Sequence, residues 1–181
     1  LVELMIRVAA GEKLPLAQAD VKRKGWAIEC RINAEDPFRN FLPSTGRLVR
    51  FTPPVQSMWQ SDTQHLQGVR VDTGVQDGGE IPMYYDSMIA KLIVHGTDRL
   101  DAIAKMREAL NGFVIRGISS NIPFQAALLA HPKFVAGDFN TGFIAEHYGK
   151  GFSSEDVPHA DPNFLVALAA FVRRKSRERT T

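Results

Sequence analysis

The stretch WAIECRIN, residues 26–33, decides the fold class of this chain. Its side chains alternate in character, with Trp26, Ile28, Cys30 and Ile32 on one face and Ala27, Glu29, Arg31 and Asn33 on the other. Because successive side chains of a β-strand point to opposite faces, this spacing predicts a strand with one apolar and one polar face. Such a strand is typical of an antiparallel sheet covered on one side only. Asp36 and Pro37 end the pattern.

Further strands are predicted after this stretch. The candidates are residues 47–51, 69–71, 88–95 and 113–116. Residues 88–95 are almost continuously apolar, which is typical of a buried central strand. Pro53 and Pro54 end the strand predicted at 47–51, and residues 55–67 are predicted to form a surface loop. The glycine-rich residues 74–79 match no phosphate-binding motif and predict a hairpin turn.

Helices surround the predicted sheet. They are expected at residues 1–10, 98–111 and 121–129, as a short helix or turn at 140–148, and from Asp161 onward. Asp98 and Asp161 are typical helix caps, and Pro162 suits the first helical position. Two apolar stripes are predicted to be buried, Leu100, Ile103, Met106 and Leu110 on one helix and Phe164, Leu165, Leu168, Phe171 and Val172 on another. We therefore expect an α+β fold, an antiparallel sheet packed with helices, with an extra C-terminal helix.

Length and composition exclude several classes of protein. The 181 residues are 44% hydrophobic and 23% charged, as in an ordinary globular domain. No apolar run approaches the roughly 20 residues that a membrane helix needs, so no membrane is expected as a partner. Residues 173–179 carry five basic residues and one acidic residue, a net +4, which leaves −2 on the remainder of the chain. A slightly acidic body argues against nucleic acid as a partner.

Two features of the sequence bear on the compartment in which the protein works and on whether it is part of a longer protein. A single cysteine, Cys30, permits no disulfide within the chain and favours a reducing compartment. The sequence opens at Leu1 within an amphipathic pattern, from which we expect a piece of a longer protein. The absence of a targeting signal is then uninformative.

Local chemistry indicates no complete active site. The five histidines are dispersed at positions 65, 95, 131, 147 and 159 with no spacing typical of zinc, so no metal site is expected. Cys30 could be a nucleophile, but its place on the apolar face favours a buried, inert thiol with a raised pKa. Lys105 lies in an Ala-Lys-Met sequence similar to a biotin attachment site, but a periodic helical pattern surrounds it, which favours a solvated helix face.

Arg70 is the candidate site residue. It lies between Val69 and Val71 and so projects from the opposite face, which Asp72 shares. A planar guanidinium there could bind a carboxylate, a bicarbonate or an enolate. On spacing alone, a surface arginine paired with Asp72 is the favoured interpretation. Lys91 and Asp86 similarly indicate sheet-face or turn residues with local partners.

Ordered motifs across most of the chain resemble the C-terminal domain of biotin carboxylases. They are GWAIECRINAEDP (25–37), FLPSTGRLVRF (41–51), GVRVDTG (68–74), YYDSMIAKLI (84–93), NIPF (121–124) and TGFI (141–144). The similarity is weakest in residues 55–67. Within the family, FVIRGISSNIPF (113–124), with Tyr148, Gly151 and Phe152, is most similar to the alpha subunits of propionyl-CoA carboxylases.

The resemblance implies a domain organisation and a reaction. Residues 1–24 would be a helix and linker from an ATP-grasp core, 25–148 the C-terminal domain, and 149–181 a linker and basic helix leading to the rest of the subunit. Biotin carboxylases use MgATP and bicarbonate to form carboxyphosphate and then carboxylate N1 of biotin. Carboxybiotin next serves a carboxyltransferase that acts on an acyl-CoA. The phosphate loop, magnesium carboxylates and glutamate base of the family belong to the ATP-grasp core, and none of those motifs occurs here.

The resemblance also implies a site residue, cofactors and partners. Arg70, within GVRVDTG, resembles the arginine that contacts bicarbonate and biotin and stabilises the biotin enolate. ATP and Mg would be bound mainly by the ATP-grasp core, and biotin would arrive on a carrier domain outside this chain. The implied partners are that biotin carboxyl carrier domain, a carboxyltransferase beta subunit and the rest of the biotin carboxylase. The implied location is the cytoplasm of a bacterium or the mitochondrial matrix of a eukaryote.

Alternative functions stay open at this point. The carboxylase could act on methylcrotonyl-CoA or acetyl-CoA, because the acyl-CoA is chosen in the carboxyltransferase. From a different class, the chain could be a non-enzymatic interaction module whose basic tail, residues 173–179, binds an acidic partner. On the carboxylase hypothesis, the isolated chain is expected to be inactive.

Overall fold

The computed structural model describes residues 1–57, 68–83, 86–158 and 162–178. Its helices are α1 (Val2–Ala9), α2 (Arg99–Asn111), α3 (Ile122–Ala130), α4 (Pro132–Ala136), α5 (Phe143–Tyr148) and α6 (Pro162–Glu178). Its strands are β1 (Trp26–Asn33), β2 (Glu35–Asp36), β3 (Leu42–Pro43), β4 (Gly46–Arg47), β5 (Arg50–Thr52), β6 (Gly68–Thr73), β7 (Glu80–Ile81), β8 (Met88–Gly96) and β9 (Val114–Arg116). Short 3₁₀ helices span Gln18–Asp20, Pro37–Arg39 and Ser154–Asp156. The predicted α+β fold is confirmed.

The main sheet has three antiparallel strands in the order β1-β8-β6. β1 has the bounds predicted from its alternation, and β8 is the central strand, as its apolar run predicts. Cys30 pairs with Leu92, and Leu92 with Val71, so that these side chains share the buried face. Helix α2 packs on this face. The opposite face of the sheet carries the polar side chains of the alternation.

Helix α2 begins where the sequence predicts. The Asp98 carboxylate accepts a hydrogen bond from the Asp101 N–H, which satisfies a donor at the start of the helix. Ile103, Met106 and Leu110 are buried as expected. Leu100 was predicted to share their stripe, but this is wrong, because its side chain is 61% exposed. It lies about 120° around the helix from Met106, outside the face that meets the sheet.

Residues 47–51 do not form the single strand that was predicted. β4 pairs with β7, through Gly46 and Ile81, whereas β5 pairs with β9, through Phe51 and Ile115. Leu48 lies between the two short strands and is fully buried. Its side chain joins the core at a point where the backbone changes from one partner strand to another.

The hairpin predicted at residues 74–79 is also wrong. The strands that flank it, β6 and β7, belong to different sheets. A turn does form, because the Gly79 N–H bonds the carbonyl of Gln76 at 3.0 Å. This turn folds against Leu48, whose carbonyl accepts from the Gly78 N–H and whose N–H donates to the Gly79 carbonyl, both at 2.8 Å. The loop predicted at 55–67 has no helix or strand in residues 55–57, and its residues 58–67 lie outside the described parts.

The second half of the chain adds a smaller apolar cluster. Phe124, Ala127 and Phe152 are buried together, and Tyr148 packs against them. The rings of Phe124 and Phe152 have centroids 5.4 Å apart and lie nearly perpendicular to each other. The segment that follows α5 therefore turns back onto α3, and the packed part of the chain reaches at least to Phe152.

Helices α1 and α6 expose their apolar faces. The stripe of α6 was predicted to be buried, but this is wrong for the chain by itself: Phe164, Leu165, Leu168, Phe171 and Val172 are 46–60% exposed. Leu1, Val2, Met5, Ile6 and Val8 of the first helical segment are also exposed. An amphipathic pattern predicts which face is apolar but does not say what covers it. The cap predicted at Asp161 lies outside the described residues.

The basic end of α6 is partly neutralised within the helix. Arg174 Nε and Lys175 Nζ each lie 2.9 Å from a carboxylate oxygen of Glu178. Among the described residues, no helix is long and apolar enough to cross a bilayer.

Candidate functional site

The polar face of the three-stranded sheet carries two rows of side chains that lie opposite one another across the strands. The first row is Glu29, Ile93 and Arg70, with apolar Ile93 between two charged residues. The second row is Arg31, Lys91 and Asp72, all charged. Three cations and two carboxylates therefore share this face, a net positive patch. Because one side of the sheet is covered by α2, the charged side is the one that could meet a ligand or another domain.

Arg70 lies where the alternation predicts, on β6 and on the face opposite Val71. Its Nη2 donates a hydrogen bond to Asp72 Oδ2 at 3.0 Å, and both side chains are about half exposed. The structure thus confirms the pairing with Asp72 that spacing alone favours. Half-exposed ion pairs contribute little to stability, so this pair adds little to the stability of the fold.

A second arginine, Arg31, lies on the same face, and the sequence reasoning did not single it out. It forms an ion pair with Glu29, with Arg31 Nε 3.6 Å from Glu29 Oε1, beyond hydrogen-bond distance. Its side chain is 67% exposed. Within the described ranges, the planar fork of Arg31 has no carboxylate partner closer than this, so it is available to bind a planar anion. The alternation of WAIECRIN, which placed Arg31 opposite Cys30 and Ile32, already held this signal.

Lys91 completes the patch. It projects from the central strand between Arg31 and Asp72, and its side chain is partly exposed. Because Lys91 and Arg31 are neighbours across the strands, their charges together raise the positive potential felt by an anion bound at Arg31. Asp86 plays a local role, as predicted, because its Oδ1 accepts from the Met88 N–H at 3.0 Å, at the start of β8.

Cys30 and Lys105 are structural, as predicted. Cys30 is buried, and burial together with the nearby Glu29 carboxylate raises the pKa of its thiol to about 12. A thiol with that pKa is not a nucleophile at neutral pH. Lys105 Nζ lies 2.8 Å from Asp101 Oδ2 on α2, and Met106 is fully buried. The biotin-attachment alternative for this Ala-Lys-Met sequence has no support in the structure.

The histidines are only partly brought together. His131 and His147 have ring centroids 4.5 Å apart, while His95 Nε2 lies 2.9 Å from the Lys24 carbonyl oxygen. His65 and His159 lie outside the described residues. Over the described ranges, no group of three or more histidine, cysteine or acidic residues could hold a metal ion.

The sequence pattern of the biotin carboxylase C-terminal domain family matches residues 29–146. This range contains Arg31, Arg70 and Lys91, and with them the charged face of the sheet. The chain belongs to the biotin carboxylase C-terminal domain family. The resemblance expected from the ordered motifs is confirmed.

Relatives of this biotin carboxylase C-terminal domain are longer proteins. The whole chain is 50% identical to 28% of the propionyl-CoA carboxylase alpha chain of Ruegeria pomeroyi. Over 94% of its length it is 44% identical to 22% of the mitochondrial propionyl-CoA carboxylase alpha chain of Homo sapiens. The biotin carboxylase domain of Hydrogenobacter thermophilus 2-oxoglutarate carboxylase, solved with MgADP, ADP and bicarbonate, matches with a TM-score of 0.70 and 36% identity. That match covers 86% of this chain and 31% of the other. The chain therefore spans less than a third of the length of these relatives.

Proposed function

We propose that this chain is the C-terminal part of the biotin carboxylase component of an acyl-CoA carboxylase, of the propionyl-CoA type. The observation that carries the proposal is the positive face of the sheet, where Arg31, Arg70 and Lys91 lie together. That face is solvent-accessible in this chain and lies on a domain whose relatives are biotin-dependent carboxylases. It would close one side of a site in which biotin is carboxylated with ATP and bicarbonate.

The work would be divided between this domain and the rest of the enzyme. ATP and Mg would be bound mainly by an ATP-grasp core, because the sequence here contains no phosphate loop. Biotin would arrive on a carrier domain, and a carboxyltransferase beta subunit would receive the carboxyl group. Such an enzyme would work in the bacterial cytoplasm or the mitochondrial matrix. This chain would supply cations that bind and orient the anionic reactants.

The two arginines fit this role unequally. Bidentate binding of bicarbonate requires both sides of a guanidinium fork. Arg70 is the residue that the family resemblance implies, but its guanidinium already bonds Asp72 at 3.0 Å. Arg31 has its nearest carboxylate at 3.6 Å and a more exposed side chain. We therefore place Arg31 in contact with the anion, with Arg70 as the second candidate.

A fixed cation on this face would act mainly on the transition state. Removing a proton from biotin leaves an enolate whose oxygen carries negative charge. A preorganised guanidinium beside that oxygen stabilises the developing charge more than it stabilises neutral biotin. The face thus offers both binding of bicarbonate and stabilisation of the enolate.

The proposal is tested by comparing the isolated chain with the full-length protein that carries it. Each is incubated with MgATP, bicarbonate and free biotin, and biotin-dependent phosphate release is measured. Turnover is expected only from the full-length protein. Reconstitution with a beta subunit and assay against propionyl-CoA, acetyl-CoA and methylcrotonyl-CoA then tests the substrate. Activity of the isolated chain, or an acyl-CoA preference other than propionyl-CoA, would contradict the corresponding part of the proposal.

A further inference from the structure

Asn121 is a buried polar residue with an unexpected set of partners. It precedes α3, yet its side chain does not cap that helix. Its Nδ2 donates to the carbonyl of Arg31 at 3.0 Å, and its Oδ1 accepts from the N–H of Asn33 at 3.0 Å. The Asn121 N–H also donates to the carbonyl of Asn33 at 3.1 Å. Asn121 therefore bonds to β1 much as a neighbouring strand would.

The place of these bonds in the sheet matters. β1 is an edge strand, and its pairing with β8 becomes irregular between Ile32 and Asn33. Beyond that point the pairing between β1 and β8 no longer follows a regular register. Asn121 holds the strand from the outer side at the same point, and Gln125 Nε2 approaches the Arg31 carbonyl at 3.4 Å.

The bonds also determine the direction of the Arg31 side chain. The Arg31 carbonyl belongs to the peptide plane that follows Arg31, and the Asn33 N–H belongs to the next plane. Holding both planes fixes φ and ψ of Ile32, and it holds the plane that begins at the Arg31 Cα. The regular pairing of β1 with β8 at Cys30 and Arg31 holds the backbone before that plane. Together these contacts restrict ψ of Arg31 and so the direction of its Cα–Cβ bond. The guanidinium at the end of this side chain has no carboxylate of the described residues within hydrogen-bond distance to orient it. Its orientation therefore depends on its backbone.

We propose that Asn121 is a positioning residue that holds Arg31 in the direction needed to bind the anion. The inference rests on the proposed role of Arg31. Asn121 does not touch the charged face itself, because it lies at the outer edge of β1 and is buried. It acts through Arg31, and its loss should disturb catalysis only where Arg31 is present.

The test is a double-mutant cycle in the full-length carboxylase that carries this sequence. The variants are Asn121→Ala, Arg31→Ala and the double variant, with kcat and the KM for bicarbonate measured in biotin-dependent ATP cleavage. Asn121→Ala is expected to lower kcat about tenfold. This is less than the hundredfold that displacement of a positioned group by about 1 Å can cost, because the rest of β1 still holds Arg31. The double variant should be no slower than Arg31→Ala alone. Asn140→Ala is the matched control, because Asn140 likewise bonds a local backbone N–H, that of Gly142, but far from β1 along the chain.

A second variant separates misfolding from misplacement. Asn121→Asp keeps the acceptor for the Asn33 N–H and loses the donor to the Arg31 carbonyl. It should stay folded, keep the Asn33 amide protected from hydrogen exchange and still lose kcat. Full additivity of the Asn121 and Arg31 effects, or unchanged kcat in Asn121→Asp, would overturn the positioning role alone. Full activity of Arg31→Ala would instead remove the role of Arg31, and the positioning role with it.

Discussion

Arg70 Nη2 lies 3.0 Å from Asp72 Oδ2, two residues further along the same strand, so this guanidinium is already paired on the open face of the sheet. Arg31, on the same face, lies 3.6 Å from Glu29 and is more exposed. The two arginines of this surface therefore differ in how closely a carboxylate pairs with them and in how exposed they are. An incoming anion must compete with a hydrogen-bonded Asp72 for Arg70, whereas at Arg31 it competes with Glu29, which lies beyond hydrogen-bond distance.

This difference predicts unequal effects of the two alanine variants in the full-length carboxylase. Arg31→Ala should reduce biotin-dependent ATP cleavage on the order of a hundredfold, about 3 kcal/mol, by analogy with loss of one oxyanion donor. Arg31→Lys should recover only part of the activity, because an ammonium lacks the planar fork. Arg70→Ala should cost less, about tenfold or below. A larger loss for Arg70→Ala than for Arg31→Ala would instead make Arg70 the anion ligand, as the family resemblance implies.

Cys30 should resist alkylation in the folded protein. Its pKa is raised to about 12 by burial and by Glu29, so the thiolate is almost absent at pH 8. Because the folded-state pKa lies above the ordinary value of 9.0, the protonated thiol contributes stability below pH 9 that is lost as the pH rises toward 12. Iodoacetamide labelling with peptide mass spectrometry at pH 8 should modify Cys30 only after urea unfolding. Rapid labelling of the folded protein would contradict the buried position.

Local periodicity predicted the main sheet well. The bounds of β1 coincide with the alternating stretch, and the apolar run at 88–95 became the central strand β8. Both patterns depend on which face of one segment is buried, and a sequence carries that information directly. Arg31 and Arg70 were both placed on the polar face by the same rule. Nothing local distinguished them, because the distances to Glu29 and Asp72 depend on side-chain conformations.

Pairings between distant segments could not be predicted in this way. Residues 47–51 have one continuous strand pattern, but their two ends meet β7 and β9, from separate parts of the chain. Asn121 was expected only to open a helix, and its side-chain bonds to Arg31 and Asn33 span about 90 positions of sequence. Such contacts follow from tertiary packing, which overrides the local preference of asparagine for capping.

Two leucines give a matched test of the core. Leu92 is fully buried on β8, whereas Leu100 on α2 is 61% exposed, contrary to its helical pattern. Leu92→Ala should lower the free energy of unfolding by about 2–5 kcal/mol through lost burial and a residual cavity. Leu100→Ala should change it by less than about 0.5 kcal/mol. Urea unfolding followed by circular dichroism measures both, and a similar loss for the two variants would contradict the placement of α2.

His131 lies where three helices meet, between the end of α3 and the start of α4 and beside α5. Its Nδ1 accepts from the Lys133 N–H at the start of α4, at 3.2 Å, and its ring lies beside His147 on α5. Burial, and then the neighbouring His147 and Lys133, hold its pKa below the ordinary value of 6.5. Glu146 opposes this shift, but its carboxylate is bonded to Lys133 Nζ at 2.8 Å.

The lowered pKa of His131 predicts acid sensitivity of this region. Below pH 6.5 the unfolded chain binds a proton at His131 more readily than the folded chain does, so the free energy of unfolding falls as the pH falls. The contribution is fully present above pH 6.5. His131→Asn keeps a side-chain acceptor for the Lys133 N–H but cannot titrate, so it should lose less stability between pH 7.5 and pH 5.5. Urea unfolding of both proteins at the two pH values measures this difference. A loss of stability that the substitution causes equally at both pH values cancels from the comparison. Equal losses in wild type and variant would show that protonation of His131 is not what destabilises the fold in acid.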